Sequence, residues 1–165
     1  MTSQDLRDHG EFTGSRDGRG LKIAIVAARF NEYVTSQLLE SARGELTRLG
    51  VTAADRLIVH VPGSFELPLA AMKMASRSDV DAVICLGALI RGETAHFEYV
   101  ADATSDGIAR VARETGIPVI MGVITTYNAE QAVVRTGLGA DYAVAAVEMA
   151  NLYRQLEGQY RKEVR

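Results

Sequence analysis

From Leu21 to Phe30 the run LKIAIVAARF is apolar almost without a break, the pattern of a parallel strand covered on both faces. Beyond Asn31, which opens a helix, the period changes. Val34, Leu38, Leu39, Ala42, Leu46 and Leu49 recur at helical spacing, and Gly50 can close the helix in a left-handed conformation. DRLIVHV is a second strand, followed by a turn at Pro62-Gly63. Ser64 is expected to cap a helix through LPLAAMKMAS, with Pro68 in a first turn whose N–H groups lack intrahelical acceptors. A third strand, DAVICLGALI, runs into the turn RGET, with Thr94 as the expected N-cap of a helix reaching about Thr115. After Gly116 and Ile117, PVIMGVIT forms a fourth strand, and Asn128 with Gln131 makes a capping-box pattern before a further helix. The last helix is expected over 140–156, with Val144, Val147, Ala150 and Leu152 on its apolar face. Strands alternating with helices predict a doubly wound α/β domain. Its form is a three-layer sandwich in which a four-stranded parallel sheet carries helices on both faces through right-handed crossovers.

The length of 165 residues suits one domain, assigned to 21–157, with tails at 1–20 and 158–165. Residues 1–20 are polar, charged and glycine-rich, so they are expected to form a flexible tail in which His9 is solvated. An apolar fraction of 47% and a charged fraction of 24% place the chain among ordinary soluble globular proteins. A net charge of -3 with scattered basic residues leaves no electrostatic footprint for nucleic acid. Cys85 is the single cysteine, which excludes an internal disulfide, and its run AVICLG suits a thiol acting as a small core hydrophobe. No apolar run approaches the ~20 residues that span a bilayer. The first residues also lack the apolar middle section of a secretory signal. The expectation is a cytoplasmic protein with neither a membrane nor a nucleic-acid partner.

In an open parallel sheet, ligands bind beyond the carboxyl ends of the strands, where loops and helix N-termini converge. Four strand ends here deliver Arg29-Phe30-Asn31, Pro62 to Glu66, Ala88 to His96, and Thr125-Thr126-Tyr127 to one rim. Phe30 either closes the core or offers a flat face to a planar ligand. Glu66, beside Phe65, either accepts hydrogen bonds from a hydroxyl-bearing ligand or stabilises the dipole of its own helix. His60 lies within a strand and reads as structural. Gly92 permits close backbone approach, while Glu93 and Thr94 present N–H groups at a helix N-terminus, an arrangement that stabilises a phosphate. Arg135 either adds a bidentate clamp on that anion or joins an exposed salt bridge. His96 stands two residues past the expected cap and so beside the proposed anion, where an imidazole is the side chain suited to moving protons at neutral pH.

Taken together, RFN (29–31), PGSFELP (62–68), GALIRGETAHFEYV (87–100), GVITT (122–126), EQAVVR (130–135) and EMANL (148–152) resemble the lumazine synthase family over about residues 21–156. The resemblance implies a flavodoxin-like fold. It also implies condensation of 5-amino-6-(D-ribitylamino)uracil with 3,4-dihydroxy-2-butanone 4-phosphate to 6,7-dimethyl-8-ribityllumazine, phosphate and water, without metal or organic cofactor. Phe30 would stack on the pyrimidine, Ser64, Phe65 and Glu66 would hold the ribityl side, and Ala88, Leu89 and Ile90 would offer backbone hydrogen bonds to the ring. Glu93 and Thr94 with Arg135 would grip the phosphate, His96 would shuttle protons, and Asp141 would orient it. Family members form pentamers with the active site between neighbours, and some build 60-subunit icosahedral shells. Two positions depart from the family pattern. Met121 stands where a phenylalanine usually crosses the subunit boundary to the pyrimidine. TGLG replaces a longer loop of the form AGTKxGNKG, so the loop lysines are missing. A scaffold homologue with weak or no activity, and a generic phosphate-binding module of the same fold, are the competing expectations.

Overall fold

A computed structural model describes residues 10–163. Its sheet holds β1 (Ile23–Ala28), β2 (Arg56–Val61), β3 (Ala82–Ile90) and β4 (Val119–Thr126), all parallel, in the order β2-β1-β3-β4. Every residue of β1 is buried, as its unbroken apolar run requires of a central strand. Side chains alternate across the pleat. Ile23, Ile25 and Ala27 enter one core with α1 (Glu32–Arg48) and α5 (Leu138–Glu163), while Ala24, Val26 and Ala28 enter the other with α2 (Leu67–Ala75) and α3 (His96–Thr115). A one-turn helix, α4 (Ala129–Val133), follows β4. The chain is therefore a flavodoxin-like three-layer α/β sandwich, as the strand-helix alternation predicts.

Two close backbone approaches set the layers. Gly139, at the start of α5, lies so near the Leu38 carbonyl of α1 that a Cβ would overlap it. Ser41 reaches across from α1 to bind both sides of that turn: its Oγ donates to the Gly137 carbonyl and accepts from the Ala140 N–H, each at 3.0 Å. A capping group from another helix thus supplies what the short TGLG segment lacks. Gly107 of α3 likewise packs on the Pro68 ring of α2 with no room for a side chain. Gly50 (φ +96°) and Gly116 (φ +67°) end α1 and α3 in the left-handed region that favours glycine.

Several local expectations shift. Ser64 does not cap α2; it opens a 3₁₀ turn, Ser64–Glu66, in which the Glu66 carboxylate accepts the Gly63 N–H at 2.9 Å. α3 begins at His96, so its N-cap is Ala95, and the Thr94 hydroxyl accepts the His96 N–H only at a long 3.4 Å. Asn128 does accept from the Gln131 N–H at 2.9 Å, but the Gln131 side chain returns to the Tyr127 N–H at 3.0 Å. The last helix extends to Glu163, beyond the boundary at 157.

Residues 1–9, including His9, lie outside the described residues, but residues 10–20 differ from a free tail. Asn151 donates to the carbonyls of Ser15 and Asp17 at 2.9 Å each, Gln155 donates to Thr13 at 3.1 Å, and Arg16 pairs with Glu148 at 2.5 Å. Gly18 is buried and donates to the Leu49 carbonyl at 2.7 Å. Apolar content does not register this docking because the contacts are polar and made largely to backbone.

Candidate active site

The chain leaves β1 toward β2 and returns to β3 on its other side, so the ends of β1 and β3 diverge and open a crevice at the switch point. A cavity of about 730 Å³ occupies it, within the size range of small-molecule sites. Its walls come from the turns after three strands and from the first turn of α3. Phe30 and Asn31 follow β1, Gly63 to Glu66 follow β2, and Leu89, Ile90, Gly92, Thr94, His96, Phe97, Tyr99 and Val100 run from the end of β3 into α3.

Asn31 joins the two central strand ends. It adopts the left-handed region (φ 60°, ψ 46°), which asparagine tolerates better than most residues, and its Nδ2 donates to the Ala88 carbonyl at 2.8 Å. Behind it Ser64 is buried against Gly87, where an added Cβ would come within 2.5 Å of the Ser64 Oγ. The rings of Phe30, Phe65 and Tyr99 are 69%, 63% and 74% exposed, so the cavity is apolar and aromatic but open on one side. Exposed rings clustered in this way mark a ligand or partner surface. Six lining residues carry polar side chains: Asn31, Ser64, Glu66, Thr94, His96 and Tyr99. Such a wall can stack a planar ring, bind hydroxyls and move a proton.

Of the predicted site residues, Phe30, Ser64, Phe65, Glu66, Leu89, Ile90, Thr94 and His96 line this one cavity. Ala88 is buried just behind it, with its carbonyl already engaged by Asn31. Glu93 is exposed on the turn between two lining residues. Met121, Arg135 and Asp141 are outside the lining. Met121 lies on the edge strand β4, 44% exposed. The Arg135 Nη1 donates to the Gln131 carbonyl at 2.8 Å, and the exposed guanidinium meets no carboxylate among the described residues. Asp141 is exposed in the first turn of α5, where its charge, after burial, helps push the neighbouring Tyr142 phenol above its ordinary pKa. The predicted residues therefore fall into two groups on the chain, a cavity wall and a set on β4, on the turn after α4 and on α5.

Phe97, Tyr99 and Val100 line the cavity without having been expected there. A signal existed, since His96, Tyr99 and Val100 are spaced three and four apart on the first turn of a helix and so share a face. Asn31 carried only the weaker sign of being a residue type that tolerates positive φ. Cys85, on β3, faces the core; burial pushes its thiol up to about 12, which makes it inert. Among the described residues no group of three His, Cys, Asp or Glu side chains is placed to hold a metal ion, and no helix is long and apolar enough to cross a membrane.

Comparison with protein families gives a match to one whose model is described as 6,7-dimethyl-8-ribityllumazine synthase, over residues 20–154.

Proposed function

Since that match takes in well over half of its length, the chain belongs to the 6,7-dimethyl-8-ribityllumazine synthase family, and from this premise we propose that it condenses 5-amino-6-(D-ribitylamino)uracil with 3,4-dihydroxy-2-butanone 4-phosphate. The products are 6,7-dimethyl-8-ribityllumazine, phosphate and water, in riboflavin biosynthesis. One observation carries the reading: the switch-point cavity combines exposed Phe30 with Ser64, Glu66 and His96, and stays open on one side.

In this reading Phe30 stacks on the pyrimidine and the backbone of Ala88 to Ile90 reads its edge. Ser64 and Glu66 bind ribityl hydroxyls, Glu66 with the carboxylate oxygen that does not hold the Gly63 N–H. Phe65 covers the same side. The backbone of Glu93 and Thr94 receives the butanone phosphate. His96 then serves the proton movements: the substrate amine forms an imine with the ketone and loses water, proton removal expels phosphate, and ring closure releases a second water. Holding two reactants together supplies much of the rate.

The second group of residues completes the site from a neighbouring protomer. Arg135 clamps the phosphate, Asp141 orients His96, and Met121 covers the pyrimidine pocket with an adaptable thioether in place of a ring. The working form is a pentamer, alone or in a 60-subunit shell, acting in the cytoplasm. Mixing the purified protein with both substrates and following lumazine absorbance tests the reaction. Turnover supports it, whereas substrate binding without turnover favours a scaffold homologue, the reading that Met121 and the short TGLG segment support.

A further inference from the structure

The turn that carries Thr94 and His96 is held almost entirely from its two ends. The Arg91 N–H, where β3 finishes, donates to the Thr126 carbonyl at 2.9 Å. Among the described residues, the backbone N–H groups of Gly92, Glu93 and Thr94 donate no hydrogen bond, and the His96 N–H reaches only the Thr94 hydroxyl at 3.4 Å. One side-chain pair spans the gap. The Arg91 Nη2 meets the Glu98 Oε1 at 2.6 Å, and the same guanidinium lies 5.9 Å from the centroid of the Phe97 ring. The other carboxylate oxygen of Glu98 is buried without a partner, so this acid has given up water on one side to reach the arginine. Phe97 is itself part of the cavity wall.

We propose that Arg91 and Glu98 form a positioning clamp, which closes the turn between β3 and α3 and thereby fixes His96 and the phosphate-facing N–H groups relative to the cavity. Both residues are about half exposed, so the ion pair contributes little to global stability, and its effect is on local geometry. Gly92, with open space around it, otherwise leaves the turn free to swing. The clamp rests on the lumazine-forming reading only for its effect on rate; its effect on the turn stands apart from it.

The test uses the assembled wild-type protein and four variants: Arg91→Met, Arg91→Lys, Glu98→Gln and the double variant Arg91→Met/Glu98→Gln. Hydrogen exchange read by mass spectrometry on the peptide covering 91–100 should show faster exchange in Arg91→Met and in Glu98→Gln, with the melting temperature little moved. Because a misplacement of about 1 Å can cost 10²-fold, kcat should fall about 10- to 100-fold while KM for the pyrimidine stays within about twofold. The double variant should match the worse single one, as expected of two halves of one device, and Arg91→Lys should recover most of the rate. Unchanged exchange in the turn, or losses that multiply in the double variant, would overturn the clamp. Wild-type protein that makes no lumazine would remove the reaction, yet faster exchange in the variants would still support the clamp.

Discussion

His96 occupies the first position of α3 with its side chain on the cavity wall, where it is exposed and near only a few polar groups. In the proposed reaction a histidine so placed aids proton transfer without holding the substrates, so His96→Ala should lower kcat about 10²- to 10⁴-fold and leave residual turnover. With Arg135 as the proposed phosphate clamp, the larger effect of Arg135→Ala should be a raised KM for the butanone phosphate. Steady-state kinetics with each substrate varied in turn separates the two, and unchanged phosphate-substrate dependence in Arg135→Ala would exclude the clamp. Gly87 illustrates a different constraint. A methyl there meets the Ser64 Oγ and the Leu67 Cδ1 at 2.5 and 3.2 Å, so Gly87→Ala should destabilise by about 1–3 kcal/mol and displace Ser64 from the cavity. Thermal melts with ribityl-substrate titration check both effects.

At the scale of elements, apolar runs located the four strands to within two residues at each end, most plainly the central β1 and β3, whose burial on both faces leaves an almost unbroken apolar pattern. Helix ends were less legible. Ser41 caps α5 from 99 residues away in sequence, a pairing that no local spacing shows, and Glu66, three residues after Gly63, rather than Ser64 closes the turn before α2. The 10–20 segment escaped for the same reason, since its docking is a matter of where Asn151 and Gln155 lie on α5. Charge stitches the opposite end of the sheet. Hydrogen bonds from Arg77 and then Lys22 hold the Asp79 carboxyl down to about 2. A folded-state pKa below the unfolded value of 3.8 means that the contribution is present above pH 4 and is lost as pH falls from about 4 through 2. Acid titration of the melting temperature should therefore lose a component in that window, and Asp79→Asn should remove it; identical acid profiles for the two proteins would contradict the assignment.

At the scale of the whole molecule, eight of the predicted site residues converge on one cavity, while Met121, Arg135 and Asp141 stand on other elements. Spacing in the sequence led to the rim because loops after parallel strands must collect there. It carried no information about which of the predicted residues share a cavity within one chain. Cyclic association gives the arrangement a physical sense, since a heterologous contact can bring the second group of one protomer to the open side of the next. The most direct test co-assembles His96→Ala chains with Arg135→Ala chains, mixing verified by native mass spectrometry. With random mixing, about a quarter of the interfaces combine an intact histidine from one chain with an intact arginine from the other. Activity should rise well above the mean of the two parent variants; a mixed assembly whose activity stays at that mean would rule out a site shared between neighbouring chains.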